Sequence, residues 1–239
     1  MAYRMEEVGV PVVFGGGTPS HFSFIIKDSA GRPIKYFEHE RGKNAYLAVV
    51  KKDLSYFRHY PYQFDKKLGS FTIPDLYFPA EGDYRLVADF FPLNIKEEEV
   101  PHAKAFFNFS IGGPVGAKPL GTLERVKFEE IFKVSMWSHP ESPTPGEVTL
   151  VFEVRIDDRP VTTLEEYLGG FGQLSIFETE TLEFFHEVSQ KSRNPSSEAV
   201  AGQIEFKVKF PASGIYKMFL EFKFKENITI TPFLIKVKR

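Results

Sequence analysis

Three observations predict an all-β chain built from two copies of one antiparallel sandwich. The stretch Phe78-Pro79-Ala80-Glu81-Gly82-Asp83-Tyr84-Arg85-Leu86 returns as Phe210-Pro211-Ala212-Ser213-Gly214-Ile215-Tyr216-Lys217-Met218. Apolar residues alternate at period two along many short runs bounded by Gly and Pro, the signature of half-buried strands. The 26 Phe and 10 Tyr among 239 residues suit a pleated surface. Helical spacing is scarce, and its best window, Thr163 to Leu168, is short.

The repeated stretch carries the fold reading further. Pro fixes φ on the way into a turn, and Gly supplies the positive φ a tight turn often needs. Gly-x-Tyr then opens a strand with an apolar residue two places on, Leu86 or Met218. That is the local pattern of the tyrosine corner in immunoglobulin-like sandwiches. The expected fold is therefore two tandem immunoglobulin-like antiparallel β-sandwiches related by internal duplication.

In chain order, Val8 to Phe14 is apolar and broken by Pro11, as an edge strand would be. Gly15-Gly16-Gly17 is a flexible loop without the Gly-Lys-Ser/Thr closure a phosphate cradle needs. Phe22, Phe24 and Ile26 mark a strand, as does Ala45 to Val50. Phe71 to Phe78 is a strand whose Pro74 indicates an edge or a bulge. Tyr84 to Phe90 and Ala103 to Ile111 complete the first half. Gly112 to Gly121 is rich in Gly and Pro and marks the boundary. Alternation resumes through Val126, Phe128, Phe132 and Val134, then Val148 to Ile156, then Tyr216 to Phe224, and finally Ile228 to Val237, interrupted at Pro232.

The second half copies the first without a gap from Arg32-Pro33, matched by Arg159-Pro160, to His59, matched by His186, 127 positions on. A longer polar loop, Gln190 to Glu198, widens the spacing to 132 by Tyr84 and Tyr216. A duplication that keeps strand phase implies two domains of one fold: residues 1–113 and 122–239, with 114–121 as linker.

Composition excludes several function classes. With no cysteine, disulfides, thiolate metal sites and cysteine nucleophiles are absent. A net charge of −2 with dispersed Lys and Arg gives no footprint for nucleic acid. The acidic run Lys96-Glu97-Glu98-Glu99 reads as a solvated loop. No stretch is apolar and long enough for a membrane-spanning helix. The start lacks an apolar leader core, so the expectation is an intracellular chain or one whose leader has been removed. No Gly-x-Ser-x-Gly elbow occurs, and the pairs Asp157-Asp158 and Glu165-Glu166 fall in turns; no catalytic residue and no cofactor are expected.

Two groups of residues could carry function. His59 and His186 recur at one aligned place, and imidazoles bind copper or zinc once further ligands join them, His39, His102 and His139 being the remaining suppliers. The loop Lys51 to Gly69 is the richest aromatic cluster. Its Tyr56, Tyr60 and Tyr62, with Arg58 and His59, would contact a protein or glycan partner if exposed, or shield the rim of the core if not. Trp137 is a similar case. Long alternating strands also invite self-association by strand edges.

Residues Asp53-Leu54-Ser55-Tyr56-Phe57-Arg58-His59, then Gly69-Ser70-Phe71-Thr72 and Phe78 to Phe90, resemble a group of bacterial exported β-sandwich domains with Asp-Leu-Ser-x-Phe-x-His-x-His-Pro followed by Phe-Pro-x-x-Gly-x-Tyr. The resemblance covers most of 19 to 111 and more faintly 146 to 237. It implies an extracytoplasmic location and heavy-metal handling. This sequence departs at the second histidine of His-x-His, where Pro61 and Val188 stand. The expectation is therefore a non-enzymatic binding or structural module. The alternatives are a metal-binding accessory protein using His59 and His186, and an enzyme with a site between the domains.

Overall fold

The structure is a computed structural model that describes residues 3–9, 14–38, 44–93, 102–189 and 202–239. The chain divides into two compact units, Met1–Leu120 and Gly121–Arg239. Among the described residues no helix forms. The histidine at 39, Gly42, the acidic run at 96–99 and the polar loop at 190–198 lie outside the described residues.

The first unit holds β1 (Arg4–Glu7), β2 (Ser20–Lys27), β3 (Tyr46–Lys51), β4 (Phe57–His59), β5 (Gln63–Asp65), β6 (Ser70–Leu76), β7 (Gly82–Phe90) and β8 (Ala103–Ile111). They pair antiparallel as β1-β2-β6-β5 and β4-β3-β7-β8. In immunoglobulin lettering these are sheets A-B-E-D and C′-C-F-G. Alternate side chains of both sheets, among them Phe22, Phe24, Phe71, Ile73, Leu47, Val49, Leu86 and Ala88, fill one core.

The second unit holds β9 (Val126–Glu129), β10 (Phe132–His139), β11 (Gly146–Ile156), β12 (Arg159–Pro160), β13 (Gly172–Glu178), β14 (Phe184–Val188), β15 (Gln203–Phe210), β16 (Gly214–Phe224) and β17 (Asn227–Val237). One sheet runs β9-β10-β11, with β15 and the short β12 both pairing with β11; the other runs β14-β13-β16-β17. Phe152, Phe206, Leu174, Met218, Leu220 and Phe233 centre its core.

Both corners form as the repeat predicts. Tyr84 donates its hydroxyl to the Ala80 carbonyl at 2.7 Å, and Tyr216 to that of Ala212 at 2.8 Å. The Phe two places before each carbonyl acceptor closes on the Tyr in the same way: Phe78–Tyr84 and Phe210–Tyr216 each stand at 4.8 Å and 61°. The positive φ expected of the turn glycine is present at Gly82, at +128°, but not at Gly214, so in that respect the second corner departs from the expectation.

The first strand and Pro232 differ from the sequence reading, whereas the lack of a helix at Thr163 to Leu168 and the bulge at Pro74 agree with it. The first strand is Arg4–Glu7 rather than Val8 to Phe14; of that stretch Val8, Gly9 and Phe14 are not in a strand, and 10–13 lie outside the described residues. Alternating exposure of Arg4-Met5-Glu6 with Met5 inward suffices for an edge strand on β2. Thr163 to Leu168 is irregular, held by the Glu165–Lys223 bridge, with Leu168 at positive φ. Pro232 does not interrupt β17, which is an edge strand and tolerates a missing N–H. Pro74 marks a register shift against β2 between Ser20 and Phe22, the bulge its ring demands.

Candidate functional site

The aromatic loop is consumed by its own unit. Tyr60 is buried, and its hydroxyl both donates to the Tyr77 carbonyl at 2.8 Å and accepts the Tyr77 N–H at 3.2 Å. Tyr56 shares a hydroxyl contact of 3.0 Å with Tyr60. Burial pushes the Tyr56 phenol far above its ordinary range, with the Tyr60 hydrogen bond adding to it. Tyr62 accepts the Asn44 and Ala45 amides at 2.9 Å each, which pins the entry of β3. These tyrosines do not form the outward contact surface that their density suggested; each hydroxyl satisfies backbone groups that would otherwise be dry. Arg58 is exposed and lays its guanidinium 5.5 Å from the Tyr60 ring centre.

His59 is only 8% exposed, wedged edge-on against Phe57 at 5.2 Å with Tyr46 at 6.5 Å. It stands opposite Ala48 on β3, as His186 stands opposite Ser175 on β13, so the duplication holds at this pair. His186 is half-buried. Among the described residues no three His, Asp or Glu side chains converge as a metal site needs. His102 is engaged by Asp89 and stacks on Phe91 at 4.5 Å, while His21 and His139 are exposed.

A hollow recurs at the corner of each unit. In the first, Lys51, Lys52, Asp53, Gly82, Asp83, Ser110 and residues 111–117 surround about 490 Å³. In the second, Glu178, Glu180, Ser213, Gly214, Ile215 and residues 236–239 surround about 560 Å³ at the corresponding place. The charged groups there serve the turns. Burial works to raise the Asp53 carboxyl, but the Ser55 hydroxyl and amide and the Lys118 N–H, with Lys51 at 3.5 Å, hold it below the usual range. Burial likewise opposes, and the Thr181 amide and hydroxyl and the Glu180 N–H outweigh, at Glu178. Lys52 meets Asp83 at 3.8 Å, and Asp83 accepts the Ser110 hydroxyl at 2.7 Å. In each hollow the acidic side chain at its edge, Asp53 or Glu178, is committed to the adjoining turn.

The exposed aromatic surface is elsewhere. Val126, Phe128, Ile131 and Trp137 are all exposed on the β9–β10 hairpin, Phe128 by 75% and Trp137 by 47%. Val126 stands opposite Ser135, Phe128 opposite Lys133, and Trp137 opposite Val151 of β11. Period-two alternation therefore puts Val126, Phe128, Trp137 and Val151 on the outer face of this sheet. Around them lie Lys133, paired to Asp158 at 2.7 Å, and Arg155, which grips Glu153 through two bonds of 2.7 and 2.9 Å. Sequence reasoning named Trp137 and read Val126, Phe128, Phe132 and Val134 as one alternating run, which would set all four on one face. The turn Glu130-Ile131 reverses that parity: Glu129 stands opposite Phe132, so even positions on β9 face odd positions on β10.

Comparison with known proteins gives three findings. The model of a domain of unknown function (DUF8832) matches residues 130–239, which takes in the second unit from β10 onward. No curated protein matches. Among solved structures the chain is similar to the chicken CNTN1 FN1-FN3 domains (11% identity, TM-score 0.28, 94% of this chain and 64% of that one). It is also similar to domains 4-9 of the surface layer protein SbsC (10%, 0.26, 98% and 30%) and to a chimeric titin Z1Z2-Z1Z2 tandem (12%, 0.20, 94% and 93%). The chain thus spans under two thirds of the first two. Likeness at this level says nothing about function.

Proposed function

We propose that this chain is a non-enzymatic protein-binding module. Its sandwiches serve as scaffold, and the outer face of the β9–β10–β11 sheet meets the partner. One observation carries this reading: the hairpin leaves Phe128 and Trp137, with Val126 and Ile131, in solvent, while the tyrosines of the 56–64 loop are spent on backbone groups. An apolar centre with Lys133, Glu153 and Arg155 around it has the make-up of an interface core and its polar rim. Aromatic anchors of this kind dominate binding energy where they enter a desolvated pocket. The same reading places the module outside the cytoplasm, as the resemblance of residues 19–111 to exported domains implies.

The test uses a photo-crosslinking amino acid at position 128, with the exposed position 75 as the control, in extracts of the producing cells. A discrete protein adduct at 128, absent at 75 and lost when Trp137→Glu is added, supports the proposal. Trp137 is the one tryptophan in the chain, so its emission reports directly on this face. A glycan array hit that shifts Trp137 emission, with no protein adduct, would replace the protein partner by a sugar.

A further inference from the structure

Among the described residues, β15 and its counterpart in the first unit differ in their outer edges. In the first unit the corresponding strand, β6, is flanked by β2 on one side and β5 on the other. Among the described residues β15 pairs with β11 alone, along all eight of its positions. The strand is regular: Ile204, Phe206, Val208 and Phe210 are buried, and Gln203, Glu205, Lys207 and Lys209 are exposed. Just before it, the Gly202 carbonyl accepts the Val154 N–H at 2.8 Å. Even-numbered residues therefore turn their backbone groups toward β11, and odd-numbered ones turn theirs outward. Such a row of outward N–H and C=O groups is a template for another strand.

We infer that this edge pairs with the same edge of a second copy of this chain, antiparallel, about a two-fold axis at Phe206. The backbone allows only registers that set odd residues opposite odd, since only those meet with their hydrogen-bonding groups facing. Centring the axis on Glu205 would oppose Glu205 to itself, and centring it on Lys207 would oppose Lys207 to itself. Centring it on Phe206 opposes Glu205 to the partner's Lys207 and Gln203 to the partner's Lys209, twice each by symmetry, and opposes no like charges. The buried faces then match as well, Phe206 against Phe206 and Ile204 against Val208. A two-fold interface must be self-complementary, and of the registers centred on residues 205, 206 and 207 this strand is so only in the one at 206. Lysines that commonly guard an edge here find their counter-charges on the other copy. The paired sheets form one surface bearing two hairpin patches, so the dimer is bivalent for the partner proposed above.

The experiment is sedimentation of the full chain across a wide concentration range, with hydrogen exchange at the Glu205, Lys207 and Lys209 amides. A monomer–dimer equilibrium with concentration-dependent protection of those amides is expected. Glu205→Lys and Lys207→Glu should each weaken the dimer about tenfold or more, since each turns two attractive cross-strand pairs repulsive. Mixing these two variants should restore a heterodimer, and combining both changes in one chain should restore a homodimer. Both side chains are exposed, so the circular dichroism and melting of each variant should stay those of the parent. A monomer at every concentration would overturn the inference, and protection of those amides in it would mean that another stretch of the same chain covers the edge. A dimer indifferent to the charge changes would overturn it equally. Trp137 emission is expected to be the same in monomer and dimer, which separates this inference from the partner proposal.

Discussion

Replacing Tyr84 by Phe removes one hydroxyl from a residue that is otherwise completely buried. The lost bond is short, 2.7 Å, and its acceptor is the Ala80 carbonyl inside the turn. A net hydrogen bond contributes about 1 kcal/mol, and a carbonyl left dry adds about 1 more. Ala80 itself is exposed, so water recovers part of that, and the expected loss is about 1.5 kcal/mol. Tyr216→Phe should cost the same, because its bond is 2.8 Å and its Phe210 contact has the same distance and angle as that of Tyr84 with Phe78. Equilibrium urea unfolding is the assay. With a slope near 2 kcal/mol per molar, each change should shift its midpoint by about 0.5–1 M. Alkali supplies a second readout. Burial raises both phenols above their ordinary range, and only the neutral phenol can donate to its carbonyl. A raised folded value means the neutral phenol's contribution is complete below about pH 10 and is lost as pH climbs through the folded value. The Phe variants should therefore lose less stability than the parent above that pH. Midpoint shifts below about 0.2 M in both variants, within the error of such extrapolations, would refute the corner as an energetic element. A large shift in one and none in the other would refute the equivalence of the two units.

Other outcomes follow from the same geometry. Gly82→Ala should destabilise by about 1–3 kcal/mol in the same urea assay, because φ is +128° and a Cβ would stand 2.7 Å from the Lys51 Cε. Gly214→Ala should be much milder, since its nearest contact is 3.3 Å to Glu178 and its φ is not positive. Glu178 is held below the usual carboxylate range, so its contribution is present above about pH 4 and is lost as pH falls through the folded value; Glu178→Gln should flatten the acid limb of stability. Trp137→Ala should change the melting free energy by less than about 0.5 kcal/mol, as an exposed side chain does, whereas Phe206→Ala should cost about 3–5 kcal/mol.

Most of the fold was legible because strands announce themselves twice, by alternation and by turn chemistry. Phe-Pro-Ala-x-Gly-x-Tyr located both corners, since every residue of it has a local reason to be there. Where the signal failed, the turn was made by residues that do not look like turn residues. Glu130 adopts φ of +52° without being Gly or Asn, and Lys225-Glu226 builds a hairpin in the same way. Those conformations are held by the strands on either side rather than by propensity. The site was less legible for a related reason. Aromatic density at 56–64 says that rings are present, and only tertiary structure says that Tyr60 and Tyr62 face peptide groups of residues 77 and 44–45.

The two units therefore divide the same inheritance differently. The aromatic loop of the first closes its own sandwich, with three tyrosine hydroxyls tying β3, β4 and the approach to the corner together. The second unit has Glu183, Phe184 and Phe185 where the first has Tyr56, Phe57 and Arg58, so that tyrosine network has no counterpart there. It carries instead an added hairpin strand, β9, whose parity turns Val126 and Phe128 outward beside Trp137. An edge strand with exposed large apolar side chains is a liability that costs solubility unless something is gained from it. Lys127 bonded to Glu124, and Lys133 to Asp158, keep charge along this hairpin. Charge at the margin with apolar groups at the centre is what the proposed partner-binding role requires of this surface.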